Sequence, residues 1–270
     1  MVKRETVTKE DVTELIQIER PQDGVAVIRL NRPEARNALS VALREEATNA
    51  VASLGADESV GSIVLTGNGP AFSAGVDLKE IGAPGGGPKP SSPGAGNLVA
   101  AIVASPTPVI AAVNGLAITG GFELVLACDV ILASSEARFA DTHARVGIMP
   151  SWGITQRLPR LIGMARAKQL SFTGNFLDAA TAERWGLVNL VVEPDQLMSA
   201  AIAMAADIAS CDRRAVRNLK RAYDEGALVT MAEGFEVEKA AARDHMRAVR
   251  PEDIAARREA VQARGRSQAG

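Results

Sequence analysis

The apolar positions of this chain change rhythm as it proceeds, from alternation and short solid runs to helical spacing. Leu15–Glu19 and Val25–Leu30 flank Asp23-Gly24, the pattern of a tight hairpin. Asn31-Arg32-Pro33 ends the second strand, because proline has no donor for a ladder. Ser40 is a good N-cap for a helix to about Leu54, with Leu43, Ala47 and Val51 along one face. Ser62–Thr66 (SIVLT) predicts a buried strand, and Gly67-Asn68-Gly69-Pro70 turns the chain into Ala71–Ile81 (AFSAGVDLKEI), with a helix starting near Asp77. Pro108–Val113 is another buried strand, followed by a turn at Asn114-Gly115, the pair Gly120-Gly121 and a short apolar helix. Val130–Ala133 predicts a strand and Arg138–Asp141 a shorter one. From Thr155 the spacing is mostly helical: Asp178–Trp185 stopped by Gly186, a strand over Leu187–Val192, then helices over Met198–Ser210, Arg213–Glu225, Thr230–Ala248 and Pro251–Arg264. Strands each followed by a helix predict an α/β architecture.

Two stretches interrupt the rhythm. Ala83–Gly96 (APGGGPKPSSPGAG) is a low-complexity run expected to be a mobile surface loop. Leu98–Ile118 is long and apolar, but Pro106, Pro108, Asn114 and Gly115 within it argue for soluble core, since a membrane helix needs ~20 compatible residues. Composition agrees: the 270 residues are 47% hydrophobic and 23% charged, ordinary for a globular protein with a sizeable core. The formal charge of −2 and the lack of a long basic run exclude nucleic acid as the main partner; the arginines at 257, 258, 264 and 266 are interrupted by Glu259. Cys128 and Cys211 match no metal or redox spacing, so free thiols in a reducing compartment are expected, and no metal. The start, MVKRETVTKEDVTE, has no apolar signal region, and a cytoplasmic protein is the expectation.

One charge stands out. Between Lys89 and Asp129 the only formally charged side chain is Glu123, just past Gly120-Gly121. A carboxylate in an apolar run is costly to bury unless it is hydrogen-bonded or kept for chemistry. Glycines before a helix let a ligand approach the backbone and its free N–H groups. Ser73-Ala74-Gly75 offers a second such approach, and two separate backbone donors can polarise one carbonyl oxygen. Gly67-Asn68-Gly69 is a turn and not a dinucleotide fingerprint, because Phe72 stands where the third glycine is required.

Four segments in order carry a resemblance: NRPEARNAL (Asn31–Leu39), GNGPAFSAGVDLKEI, PVIAAVNGLAITGGFEL and P-x-W-G-x-T-Q-R-L (Pro150–Leu158). Together they resemble the enoyl-CoA hydratase/isomerase (crotonase) superfamily, closely over Leu15–Val192 and loosely over the helical tail. The resemblance implies a spiral of ββα units over residues 1–192, which binds the acyl-CoA, and a helical trimerisation region over 193–270. It implies an acyl-CoA thioester whose carbonyl lies between the N–H groups of Val76 and Gly120. Coenzyme A, part of the substrate and not a separate cofactor, would lie along Arg36, Ala38, Ala74, Asp77, Leu78 and Lys79. Arg36 and Lys79 suit its phosphates as fork and point charge. The implied partners are the acyl-CoA and further copies of the chain, as a trimer or a dimer of trimers. The implied reaction is addition of water to a trans-2-enoyl-CoA.

Three positions depart from the pattern. Hydratases of this superfamily place a second glutamate where His143 stands, with Glu123 as the first. His143 could serve as the second acid or base near neutral pH. It could instead bind a substrate group in another reaction of the scaffold (isomerisation, thioester hydrolysis or decarboxylation), or be structural, with Glu123 working alone or with Asp141. Thr119 replaces the first of three glycines and could narrow the acyl pocket. Trp152 stands where a smaller residue is common and could set acyl length. A non-catalytic acyl-CoA-binding subunit is the reading from another class, and Glu123 argues against it.

Overall fold

The computed structural model describes residues 11–12, 15–81 and 97–268. The loop expected over Ala83–Gly96 lies outside them. Contacts divide the chain into two compact units, one ending at Cys211 and one beginning at Asp212.

The first unit opens with β1 (Asp11–Val12) and the hairpin β2 (Ile16–Gln22) and β3 (Gly24–Leu30). The ladder shifts between Glu19 and Gln22, a bulge that accommodates Pro21, which has no donor. Helix α1 (Val41–Ala56) begins as expected at Ser40, whose side chain accepts from Leu43 N at 3.2 Å.

Three ββα units follow. The first holds β4 (Val60–Gly67), β5 (Ala71–Ser73) and the one-turn helix α2 (Leu78–Ile81). Before the second comes α3 (Leu98–Ala104), capped by Asn97, a helix hidden from the sequence reading inside a uniformly apolar run. The second unit is β6 (Val109–Val113), β7 (Leu116–Ile118) and α4 (Gly120–Ala127). The third is β8 (Val130–Ser134), β9 (Arg138–Ala140) and α5 (His143–Val146). The leading strand of each unit enters one sheet in parallel and the second strand enters another, as the spiral of ββα units requires.

The chain continues through α6 (Ile154–Ile162), α7 (Met164–Thr173), β10 (Leu177–Asp178), α8 (Ala179–Arg184), β11 (Leu190–Val192) and α9 (Leu197–Ala209). The large sheet runs β1-β2-β3-β4-β6-β8-β11 and the small one β10-β9-β7-β5. Leu187 and Val188 are buried but precede β11, so that strand is shorter than expected. Both faces of the large sheet are covered. Ala26, Ile28, Ile63 and Leu65 face the main core, while Val25, Val27, Val64, Ile110 and Leu132 face Leu197, Ala201 and Ala205 of α9. Strands buried on both faces read as solid apolar runs, which is how β4 and β6 appear in the sequence. Because α9 packs on this sheet, the first compact unit extends past the expected boundary at 192. The second unit holds α10 (Arg213–Gly226), α11 (Met231–Met246) and α12 (Pro251–Gln268).

Candidate active site

Glu123 lies in the first turn of α4 and is only 2% exposed. Its Oε1 accepts from Trp152 N at 2.9 Å and from Ile154 N at 3.3 Å, so the loop before α6 fixes the carboxylate. The other oxygen, Oε2, accepts no hydrogen bond among the described residues. His143 Nε2 lies 3.8 Å from it. His143 Nδ1 meets Asp141 Oδ1 at 2.6 Å, and the same oxygen accepts from His143 N at 3.2 Å. The segment is not extended at His143, which starts α5; one turn of backbone still folds the ring onto Asp141. Asp141 is thus a full member of a buried chain Asp141–His143–Glu123.

The electrostatics of this chain are asymmetric. Burial drives the Glu123 pKa above its ordinary 4.5, opposed by the charge of His143 and by the two backbone N–H groups. Burial also pushes Asp141 upward, but hydrogen bonds from His143 and Ser171 outweigh it and the net shift is downward. Asp141 is therefore held as a carboxylate against Nδ1–H, which leaves Nε2 directed at Glu123.

The proposed oxyanion donors converge beside this pair. Val76 bridges Leu39 in parallel; Leu39 binds Gly75 O and Asp77 N, so the N–H of Val76 points the other way. Gly120 is the first residue of α4, where a helix has no internal acceptor for the N–H. A Cβ built on Gly120 would lie 3.4 Å from Val76 N and 2.9 Å from Trp152 Cζ3. One built on Gly75, at φ 88°, would lie 3.2 Å from Gly120 N. Only glycine leaves this cleft open to a ligand.

Thr119, just before α4, adopts φ 52° and ψ −111°, a strained conformation for a β-branched residue. It is held by Thr119 N to Ala140 O at 2.8 Å and by its hydroxyl, 2.6 Å from that of Thr142. It thereby ties the segment bearing Glu123 to the segment bearing His143, a role its sequence position did not suggest.

Among the proposed coenzyme A residues, Arg36, Leu78 and Lys79 are exposed and Ala38 and Ala74 half-buried. Asp77 is different. Its carboxylate binds Arg32 Nη1 at 3.1 Å and Lys79 N at 3.1 Å, shaping the turn into α2. The sequence reading missed Asn37, fully buried at φ 53°. Its Oδ1 accepts from Arg32 N at 2.9 Å, and its Nδ2 donates to Asn68 O at 2.9 Å and Ala71 O at 2.8 Å. Its own carbonyl accepts from Ser73 Oγ at 2.8 Å. Asn37 so fixes the loop that aims Val76; a polar residue between Arg36 and apolar Ala38-Leu39 was the available signal. Asn37→Ala is expected to lower unfolding free energy by about 3 kcal/mol, since three backbone groups lose their partner; urea unfolding measures it.

Among the described residues no three His, Cys, Asp or Glu side chains gather as a metal site. No described helix is long and apolar enough to cross a membrane.

Known proteins resemble this chain in sequence and fold. The family pattern described as Enoyl-CoA hydratase/isomerase matches residues 20–256. A probable peroxisomal enoyl-CoA hydratase 1 from Arabidopsis thaliana is 36% identical over 253 residues, covering 93% of this chain and 94% of that protein. A short-chain-enoyl-CoA hydratase from Clostridioides difficile is 48% identical over 130 residues, 48% of this chain and 83% of its own. The crystal structure of enoyl-CoA hydratase from Bacillus anthracis superposes with a TM-score of 0.77 at 39% identity, covering 85% of this chain and 90% of that one. With the match spanning both units and the same ββα spiral underneath it, the chain belongs to the enoyl-CoA hydratase/isomerase family.

Proposed function

We propose that this protein is an enoyl-CoA hydratase-type lyase that adds water to a trans-2-enoyl-CoA. The observation that carries the reading is the buried pair Glu123 Oε2 and His143 Nε2, 3.8 Å apart beside two free backbone donors. Two acceptors at that separation can take both hydrogens of one water and turn its lone pair toward the β-carbon. The C–O bond forms there, the π electrons shift through the α-carbon to the thioester oxygen, and Glu123 or His143 takes the water proton. Val76 and Gly120 N–H hold the enolate oxygen; one such donor is worth about 3 kcal/mol in related chemistry. The enolate then collapses as the same proton is delivered to the α-carbon. Asp141 positions His143 and touches no reacting atom.

Coenzyme A enters as part of the substrate along Ala38, Ala74 and Leu78, with Arg36 and Lys79 toward its phosphates, and no separate cofactor is needed. Asp77 serves this site through the turn it holds. The apolar side chains of Leu219, Tyr223, Leu228, Met231 and Phe235 are exposed on the helical unit, which suits a trimer or dimer of trimers; light scattering measures it. Cys128 and Cys211 form no disulfide among the described residues, which suits a reducing compartment such as the cytoplasm, and cell fractionation measures that.

The test is loss of the enoyl absorbance of trans-2-enoyl-CoA thioesters of several lengths with purified protein. Consumption is the expected result. Binding of CoA thioesters with no turnover of any enoyl-CoA would sink the hydratase reading and leave an acyl-CoA-binding protein.

A further inference from the structure

Arg44, in the first turn of α1, has no structural task that its surroundings explain. It forms no ion pair among the described residues, and its Nε is shut off from solvent without a hydrogen-bond partner. A guanidinium N–H in that condition is costly, since arginine carries its charge at any physiological pH. The Cζ of Arg44 lies 5.8 Å from the centroid of the Trp152 ring. Stacking on an aromatic face offsets part of the cost but leaves the buried Nε–H unused.

The position of that ring gives the arginine its direction. Trp152 N holds the catalytic carboxylate of Glu123, and the ring edge abuts Gly120, so the indole stands at the reacting end of the cleft. Arg44 lies against this ring, whereas Arg36 and Lys79, proposed above for the coenzyme phosphates, are exposed. A guanidinium whose Nε–H is buried without a partner beside an apolar wall fits a carboxylate at the end of a short acyl chain: methylenes pack on the indole while the guanidinium takes both oxygens.

We propose that Arg44 and Trp152 form an anion subsite at the acyl end of the pocket, selecting acyl-CoA thioesters whose acyl group ends in a carboxylate. This rests on the acyl-CoA reading above and names its substrate class. Trp152 limits acyl length and Arg44 selects the charge.

The experiment compares kcat/KM for trans-2-hexenoyl-CoA with that for the six-carbon analogue bearing a terminal carboxylate, in the parent, Arg44→Met and Arg44→Lys. Calorimetric titration with saturated hexanoyl-CoA, adipoyl-CoA and free CoA runs in parallel, so binding is read even if no enoyl-CoA turns over. The parent should favour the carboxylated member of both pairs by roughly tenfold or more, the scale of a charge-assisted hydrogen bond. Arg44→Met should remove that ratio and Arg44→Lys should keep part of it. A parent that prefers the neutral thioesters overturns the proposal. So does an Arg44→Met that weakens both members equally, which assigns Arg44 to packing, or that weakens free CoA as much, which assigns it to the coenzyme phosphates. Failure of the hydratase reading looks different: neither enoyl-CoA is consumed, while adipoyl-CoA still binds more tightly than hexanoyl-CoA.

Discussion

Glu123→Gln is expected to slow hydration on the order of 10³-fold while raising the melting temperature at neutral pH. The amide keeps Oε1 as acceptor for Trp152 N and Ile154 N, so the loop before α6 stays in place. What it loses is an oxygen able to take a proton from water. The stability effect has a definite sign. Burial raises the folded-state pKa of Glu123 above 4.5, so the native protein binds this proton more tightly than the unfolded chain. Ionised Glu123 therefore destabilises the fold once pH exceeds the folded pKa, and glutamine carries no such cost. The gap in melting temperature between variant and parent should open as pH rises through that value and close below 4.5. Calorimetry across this range, with the enoyl absorbance assay, measures both effects. An active variant, or one that melts lower than the parent at neutral pH, would refute the assignment. In the parent, the acid limb of kcat/KM should lie above the ordinary glutamate range, because the base must be ionised.

The second large effect is at the Asp141–His143 pair. His143→Gln is expected to lower kcat about 100-fold, and Asp141→Asn about tenfold or more with KM little changed. The aspartate acts only through the ring: held at 2.6 Å from Nδ1, it keeps the proton there and Nε2 free to accept from water. Asparagine can present either an amide or a carbonyl to Nδ1 and no longer enforces that tautomer. Asp141 also has a linkage signature. Its lowered pKa contributes stability that is present above 3.8 and lost as pH falls through the folded value. His143→Gln should weaken that contribution and move acid unfolding to higher pH. Restoring the family's glutamate with His143→Glu should not raise activity, because it would set three buried carboxylates together. Combining it with Asp141→Asn should recover part of what the single change loses. Equal activity in His143→Gln and the parent would make the histidine structural.

Much of the catalytic site could be read along the chain because its chemistry is local there. Glu123 stood out as a lone charge in an apolar run and Gly120 as a glycine at a helix start, whereas Val76 came only with the family resemblance. Each is one residue in a short segment whose backbone dictates its direction. The same holds for Ser40 and Asp178 as helix caps, where the side chain bonds the backbone three residues on. Helix α3 escaped because its exposed face, Ala100, Val103 and Ala104, is as apolar as its buried one, so the run shows no hydrophobic period.

Distance in sequence separates these from what only the fold decided. Asp141 was a minor candidate until α5 folded His143 onto it. Asn37 drew no reading from the sequence, yet its amide reaches Asn68 and Ala71 across the core and fixes the loop that carries Val76. Arg44 carries no sequence signal at all; only the fold brings the Trp152 ring, from a distant loop, to 5.8 Å from its guanidinium carbon. The sequence by itself determined most of the elements and the residue types around Glu123, because these follow from backbone preference and hydrophobic period over a few residues, while the ββα order came with the family resemblance. The tertiary structure alone decided which charges are paired, which are buried without a partner and which donors converge, because burial and distance between remote segments exist only once the chain has packed.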